Sequence, residues 1–184
     1  LLANTIATGT TLVALILTFG PISGAHMNPA VSLVEAAQCR LPWREVPLYA
    51  LAQVAGAFVG VGLADFMFGE PVYALSRHDR SGAPLLVSEF VATFGLLAVI
   101  LGCSRHRSAV TPFAVAAWIV GAYWFTASTS FANPAVTLAR AVTDTFAGIR
   151  PQDAPGFVVA QLVGAAAATA FFAWLLPARE NEAA

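Results

Sequence analysis

Five stretches of the chain are long, apolar and nearly free of charge: 1–19, 46–68, 85–103, 110–125 and 156–176. Each is close to the about twenty residues that an α-helix needs to cross a hydrocarbon layer about 30 Å thick. Gly20-Pro21 is expected to stop the first of them. Between them lie polar segments: 38–45 with Arg40 and Arg44, 69–84 with Arg77, His78, Asp79 and Arg80, 104–108 with Arg105, His106 and Arg107, and 143–155. These read as solvated loops, and 177–184 as a short charged tail. The pattern predicts an all-α membrane protein.

Two shorter apolar segments break the series, and they are copies of each other. Ser23-Gly-Ala-His-Met-Asn-Pro-Ala-Val-Ser-Leu33 and Ser128-Thr-Ser-Phe-Ala-Asn-Pro-Ala-Val-Thr-Leu138 share Ser, Asn-Pro-Ala-Val and Leu at the same offsets. Asn is a favoured N-cap, and Pro suits the first helical position, where its missing N–H would have had no partner. Asn28-Pro29-Ala30 and Asn133-Pro134-Ala135 therefore start helices, over about 31–37 and 136–142. Roughly ten residues make about 15 Å, half a bilayer core.

A second shared motif follows each, Ala-Gln-Val-Ala-Gly-Ala around Gln53 and Ala-Gln-Leu-Val-Gly-Ala around Gln161. Two motifs in the same order define an internal repeat. Three crossings, at 46–68, 85–103 and 110–125, separate the two Asn-Pro-Ala loops, so the repeats are inverted and the half-helices enter from opposite faces. Irregular backbone at that depth is tolerated where it is buried in protein or lines a wet cavity. The expected domain is single, 1–184, with one repeat over 1–68 and the other over 85–177. The second repeat has two spans before its Asn-Pro-Ala and the first has one, which predicts a further helix before residue 1.

Composition narrows the classes. Hydrophobic residues make up 58% and charged residues 10%, against about 25% charged in a soluble domain. A net charge of -1 gives no reason to expect nucleic acid. Cys39 and Cys103 lack metal-site or disulfide spacing and read as inert thiols, and no cofactor or metal is expected. The histidines and cysteines are scattered among segments, which argues against an enzyme. Trp43 and Trp174 sit near span ends, as interface anchors do.

With paired Asn-Pro-Ala motifs, Glu89, Gln53 and Gln161, the chain resembles the aquaporin and aquaglyceroporin (major intrinsic protein) family, nearest to bacterial channels of the arsenic-resistance-associated kind. The resemblance implies five full spans and two re-entrant half-helices, with the family's first helix missing. It also implies a homotetramer in the bacterial inner membrane, with small neutral solutes and water as partners besides the lipid bilayer. The Asn28 and Asn133 amides would line the pore, while the half-helix N-termini, about half a positive charge each, repel cations. Glu89 would accept backbone hydrogen bonds from the second loop. His26 would brace the first loop or the inner pore, although a pH gate through it stays open.

The chain departs from the family at the outer constriction. Many members resemble Asn-Pro-Ala-Arg, where this chain has Val136. Matching offsets assign Thr8, Gly121 and Ser130 to the rest of the filter, so the ring is expected to be small-sided and wide enough for glycerol, urea or metalloid hydroxides such as arsenite. Arg140, four residues beyond Val136, either lines the outer vestibule or pairs with Asp144 at the surface; Glu35 is its symmetry mate. Stripes at Ala52/Gly56/Gly60/Ala64 and Ala160/Gly164/Ala168 are expected to pack against helices. Arg40, Arg44, Arg105, Arg107 and Arg179 fall on one side, weakly favouring it as cytoplasmic. A water-selective channel, a coupled transporter, a membrane-embedded enzyme and a nonconducting remnant remain as alternatives.

Overall fold

The computed structural model describes residues 1–176; the tail at 177–184, with Arg179, lies outside the described residues. Seven α-helices follow in order: α1 Leu2–Ser23, α2 Pro29–Ala37, α3 Val46–Phe68, α4 Ala83–His106, α5 Thr111–Phe125, α6 Pro134–Ala139 and α7 Ala154–Leu175. No strand occurs among the described residues. Five helices, with short 3₁₀ extensions on some, are long and apolar enough to cross a membrane, while α2 and α6 are the short ones. The protein is an integral, multi-pass membrane protein.

Helix starts follow local chemistry. Pro29, Pro47, Pro84, Pro112, Pro134 and Pro155 lie in the first turns of α2 to α7, where a missing N–H costs nothing. One boundary differs from expectation. α1 runs through Gly20-Pro21 to Ser23 and ends at Gly24, whose left-handed backbone (φ 75°) lets its N–H reach the Gly20 carbonyl. A proline near a helix end disrupts little, and glycine supplies the actual stop. The second half-helix is also shorter than expected, since α6 tightens into a 3₁₀ turn over Arg140–Val142.

α4 and α7 pack closely along their lengths; α1 packs on α5, and α3 on α2 and α6. Leu96, Leu97 and Leu101 of α4 anchor the main core with Val31, Val34, Val115 and Ile119. Phe131, Ala141, Ile149, Ala154 and Phe157 form a second core at the other end. The small-residue stripes behave differently from each other. A Cβ on Gly164 would come within 2.6 Å of the Phe90 carbonyl oxygen, so α4 lies directly on it. Gly56 and Gly60 have nothing within 4 Å in this single chain, so at these two positions the first stripe meets no helix among the described residues.

Candidate functional site: a lined passage between the two half-helices

The two asparagines hold the passage by doing the same thing in opposite directions. The Asn28 side-chain oxygen accepts from Ala30 N–H (3.0 Å), and its Nδ2 donates to the Ala132 carbonyl in the other loop (2.7 Å). The Asn133 oxygen accepts from Ala135 and Val136 N–H, and its Nδ2 donates to the Met27 carbonyl (2.8 Å). Each amide thus caps its own helix and ties itself to the opposite loop. A carboxamide nitrogen has two hydrogens, so each keeps one for a solute.

Around the pair runs a cavity of about 370 Å³ lined by side chains at four-residue spacing: Thr8, Leu12 and Ile16 of α1; Leu96, Ile100 and Ser104 of α4; Thr111, Val115, Ile119 and Tyr123 of α5. Asn28, Asn133, His26 and Val31 face it in the middle, Ser130, Phe131, Val136 and Arg140 toward one end, and Glu35 toward the other. The wall is more apolar than polar, with hydroxyl, amide and charged groups spaced along it, which suits a solute that sheds part of its hydration.

Thr8, Ser130 and Val136 come together at the Arg140 end. Gly121 is not among the residues that line this cavity. The cavity face of α5 is set by Val115, Ile119 and Tyr123; a residue two before Tyr123 points to another side of a helix turning about 100° per residue. Tyr123, buried, faces the cavity there, its hydroxyl 3.2 Å from Thr8 Oγ1. The cavity wall therefore contains an aromatic residue that the offsets did not reveal.

Glu89 is fully buried and binds the second loop. Its carboxylate accepts from Ser128 O–H (2.6 Å), Phe131 N–H (2.8 Å), Ala132 N–H (2.8 Å) and Gln161 Nε2 (2.6 Å). Gln161 also donates to Thr137 Oγ1 (2.8 Å), and its counterpart Gln53 donates to Ser32 Oγ (2.9 Å). His26 Nδ1 is 3.1 Å from the same Ser32 hydroxyl, and its ring lies against Tyr49. Glu35 is bound by Arg40 through two hydrogen bonds of 2.6 Å.

Arg140 lines the passage and also an adjoining outer cavity of about 740 Å³. Asp144 pairs with Arg77 instead (3.3 Å), and the Arg140 guanidinium sits over the Phe131 ring at 4.3 Å. Asp65, within a predicted span, is buried and accepts from Thr143 O–H (2.8 Å) beside that outer cavity; the hydropathy pattern hid it.

Arg80 was read as a solvated loop residue, and the fold overturns this. It is 7% exposed. Its guanidinium donates to the carbonyls of Gly148 (2.7 Å), Ser128 (2.9 Å) and Phe146 (3.0 Å), and lies 4.8 Å from the Phe131 ring centre. Burial first, and then the Arg140 charge, lower its pKa to about 10, so it stays a cation at neutral pH. The loop around it is stitched down: Arg80 N–H donates to Asp153, Arg150 N–H to the His78 carbonyl, and Ser76 N–H to the Ala141 carbonyl.

Comparison with known proteins bears on the family. The family model described as Major intrinsic protein matches residues 1–130. The chain is 58% identical over 181 residues to "Aquaglyceroporin AqpS" of Rhizobium meliloti (strain 1021), covering 97% of this chain and 77% of that protein. It is 39% identical over 110 residues to "Aquaporin NIP1-1" of Oryza sativa subsp. japonica, and 36% over 114 residues to "Nodulin-26" of Glycine max; these matches cover 55% and 58% of this chain and 37% and 40% of those proteins.

Proposed function

The chain belongs to the major intrinsic protein family, and from that premise we propose that it is a passive channel for small uncharged solutes, with glycerol first among them. One observation carries the reading: two asparagine amides, each pinned by one hydrogen to the opposite loop, leave their other hydrogens beside a lined cavity. A solute hydroxyl turns its oxygen toward these donors. The half-helix N-termini make the same point positive and unfavourable for cations and protons. The similarity to a protein named an aquaglyceroporin supports glycerol over water alone.

The constriction that selects is formed by Thr8, Tyr123, Ser130 and Val136. Its hydroxyls can bond a polyol or a metalloid hydroxide along one side, and Val136 offers an apolar face to carbon-bound hydrogens. Urea, arsenite and water belong to the same size class. We place the channel in a bacterial plasma membrane as a homotetramer.

Stopped-flow measurements on proteoliposomes test this. Wild-type protein is expected to pass glycerol and urea down their gradients, indifferent to proton or sodium gradients. Val136→Arg is expected to reduce glycerol flux about tenfold, an effect of order 1.4 kcal/mol on the barrier, and water flux less. Flux that follows a proton gradient, or equal loss for both solutes, would count against the reading.

A further inference from the structure

The guanidinium that the half-helix lacks at position 136 has a replacement that comes from a loop. Arg80 reaches in from the segment between α3 and α4 and grips three carbonyls belonging to two separate segments, Ser128 in the second re-entrant loop and Phe146 and Gly148 beyond α6. All three acceptors are neutral. Among the described residues no carboxylate is in direct contact with the Arg80 guanidinium; the acid whose charge acts on it is Glu89, on the hydroxyl of the same Ser128, and the buried guanidinium's field is less screened than that of a surface cation.

What it grips is under strain. Thr129, Ser130 and Ala132 all have left-handed backbone (φ 60°, 52° and 48°), a conformation that non-glycine residues keep only when neighbours over-determine it. Glu89 holds the N–H groups of this loop and Arg80 holds the Ser128 carbonyl, so an acid and a guanidinium bracket it. Ser130 and Phe131 are in the wall of the passage, and Phe131 is the ring on which both Arg80 and Arg140 lie.

We propose that Arg80 is a positioning and specificity-determining residue of this channel: it fixes Ser130 and Phe131 at the outer constriction and supplies the standing positive charge there, although it does not itself line the passage. This rests on the channel reading above. It gives a ring with Val136 a means of excluding cations, and a role to the loop 76–81 that is tied to Ala141 and Arg150 by main-chain bonds and to the Asp153 carboxylate.

The test uses the full chain in proteoliposomes and planar bilayers, with Arg80→Met, Arg80→Lys, Phe131→Leu and the double variant Arg80→Met/Val136→Arg. Potassium conductance and the glycerol-to-water flux ratio are read. Arg80→Met is expected to raise potassium conductance on the order of tenfold, as removal of a weakly screened charge predicts. Arg80→Lys should keep cation exclusion but shift the flux ratio, since an ammonium lacks the planar fork that reaches three carbonyls. The double variant should regain cation exclusion, which a merely structural role for Arg80 does not explain. Phe131→Leu, with Arg80 intact, should shift the flux ratio alone, and it serves with Arg80→Lys if Arg80→Met does not fold. Folded Arg80 variants with unchanged potassium conductance and flux ratio would overturn the inference while leaving the channel reading intact. A wild-type protein that passes no glycerol would instead sink the channel reading.

Discussion

The two re-entrant loops have nearly the same backbone and very different supports. Gly24, Ala25 and Met27 are left-handed in the first, and Thr129, Ser130 and Ala132 at the matching places in the second. Asn28 and Asn133 share φ -157°, with ψ 119° and 113°. The second loop is held by Glu89 and Arg80, under an α4 that presses on Gly164. Among the described residues the first is held by His26, Ser32 and Gln53 in a chain, and by Tyr49 O–H on the Ser23 carbonyl. Beside it a cavity of about 710 Å³ opens along Phe19, Leu48, Ala52 and Gly56. A shape that each motif encodes locally is thus held, among the described residues, by an acid and a guanidinium in the second copy and by hydroxyl and amide bonds in the first.

The sharpest way to break this contrast is at Glu89. Glu89→Leu removes the acceptor for two backbone N–H groups and a buried hydroxyl, and is expected to cost about 3–5 kcal/mol. Thermal unfolding in detergent should show it as a large fall in Tm, with glycerol flux lost as the second loop relaxes.

A matched pair of substitutions probes helix packing. Gly164→Ala places a methyl against the Phe90 backbone and is expected to destabilise by about 1–3 kcal/mol. Gly56→Ala meets open space and should be neutral or stabilising by up to about 1 kcal/mol, from helix propensity. Equal costs in the same melting assay would mean that the α3 face is covered as α7 is.

The smallest expected effect is at the first loop's brace. Ser32→Ala takes one partner from both Gln53 and His26 and should cost about 1 kcal/mol. Its glycerol flux should stay within about threefold of wild type, a barrier change under about 1 kcal/mol.

Much of the architecture was legible beforehand. The spans follow from uninterrupted apolar runs, the half-helices from Asn-Pro at their starts, and the inverted arrangement from an odd number of crossings between them. Glu89 was expected to accept backbone hydrogen bonds from the second loop, and it does so, with Gln161 beside it. Such features need only a few consecutive residues, or a parity argument, because backbone groups with no water must be capped and bonded within their own helix. The places where expectation failed are where two distant segments choose each other. Arg80 looks like any loop arginine until carbonyls 48 to 68 residues away close around it. Tyr123 reaches the cavity wall beside Thr8 because the rotation of α5 against α1 decides which side faces inward. Arg140 leaves Asp144 to Arg77 and lies over Phe131. The sequence alone therefore determined the membrane-spanning fold and the asparagine pair. The tertiary structure decided which charges and rings surround the constriction, because burial and partner choice belong to the packed assembly of helices and loops, and no single segment carries them.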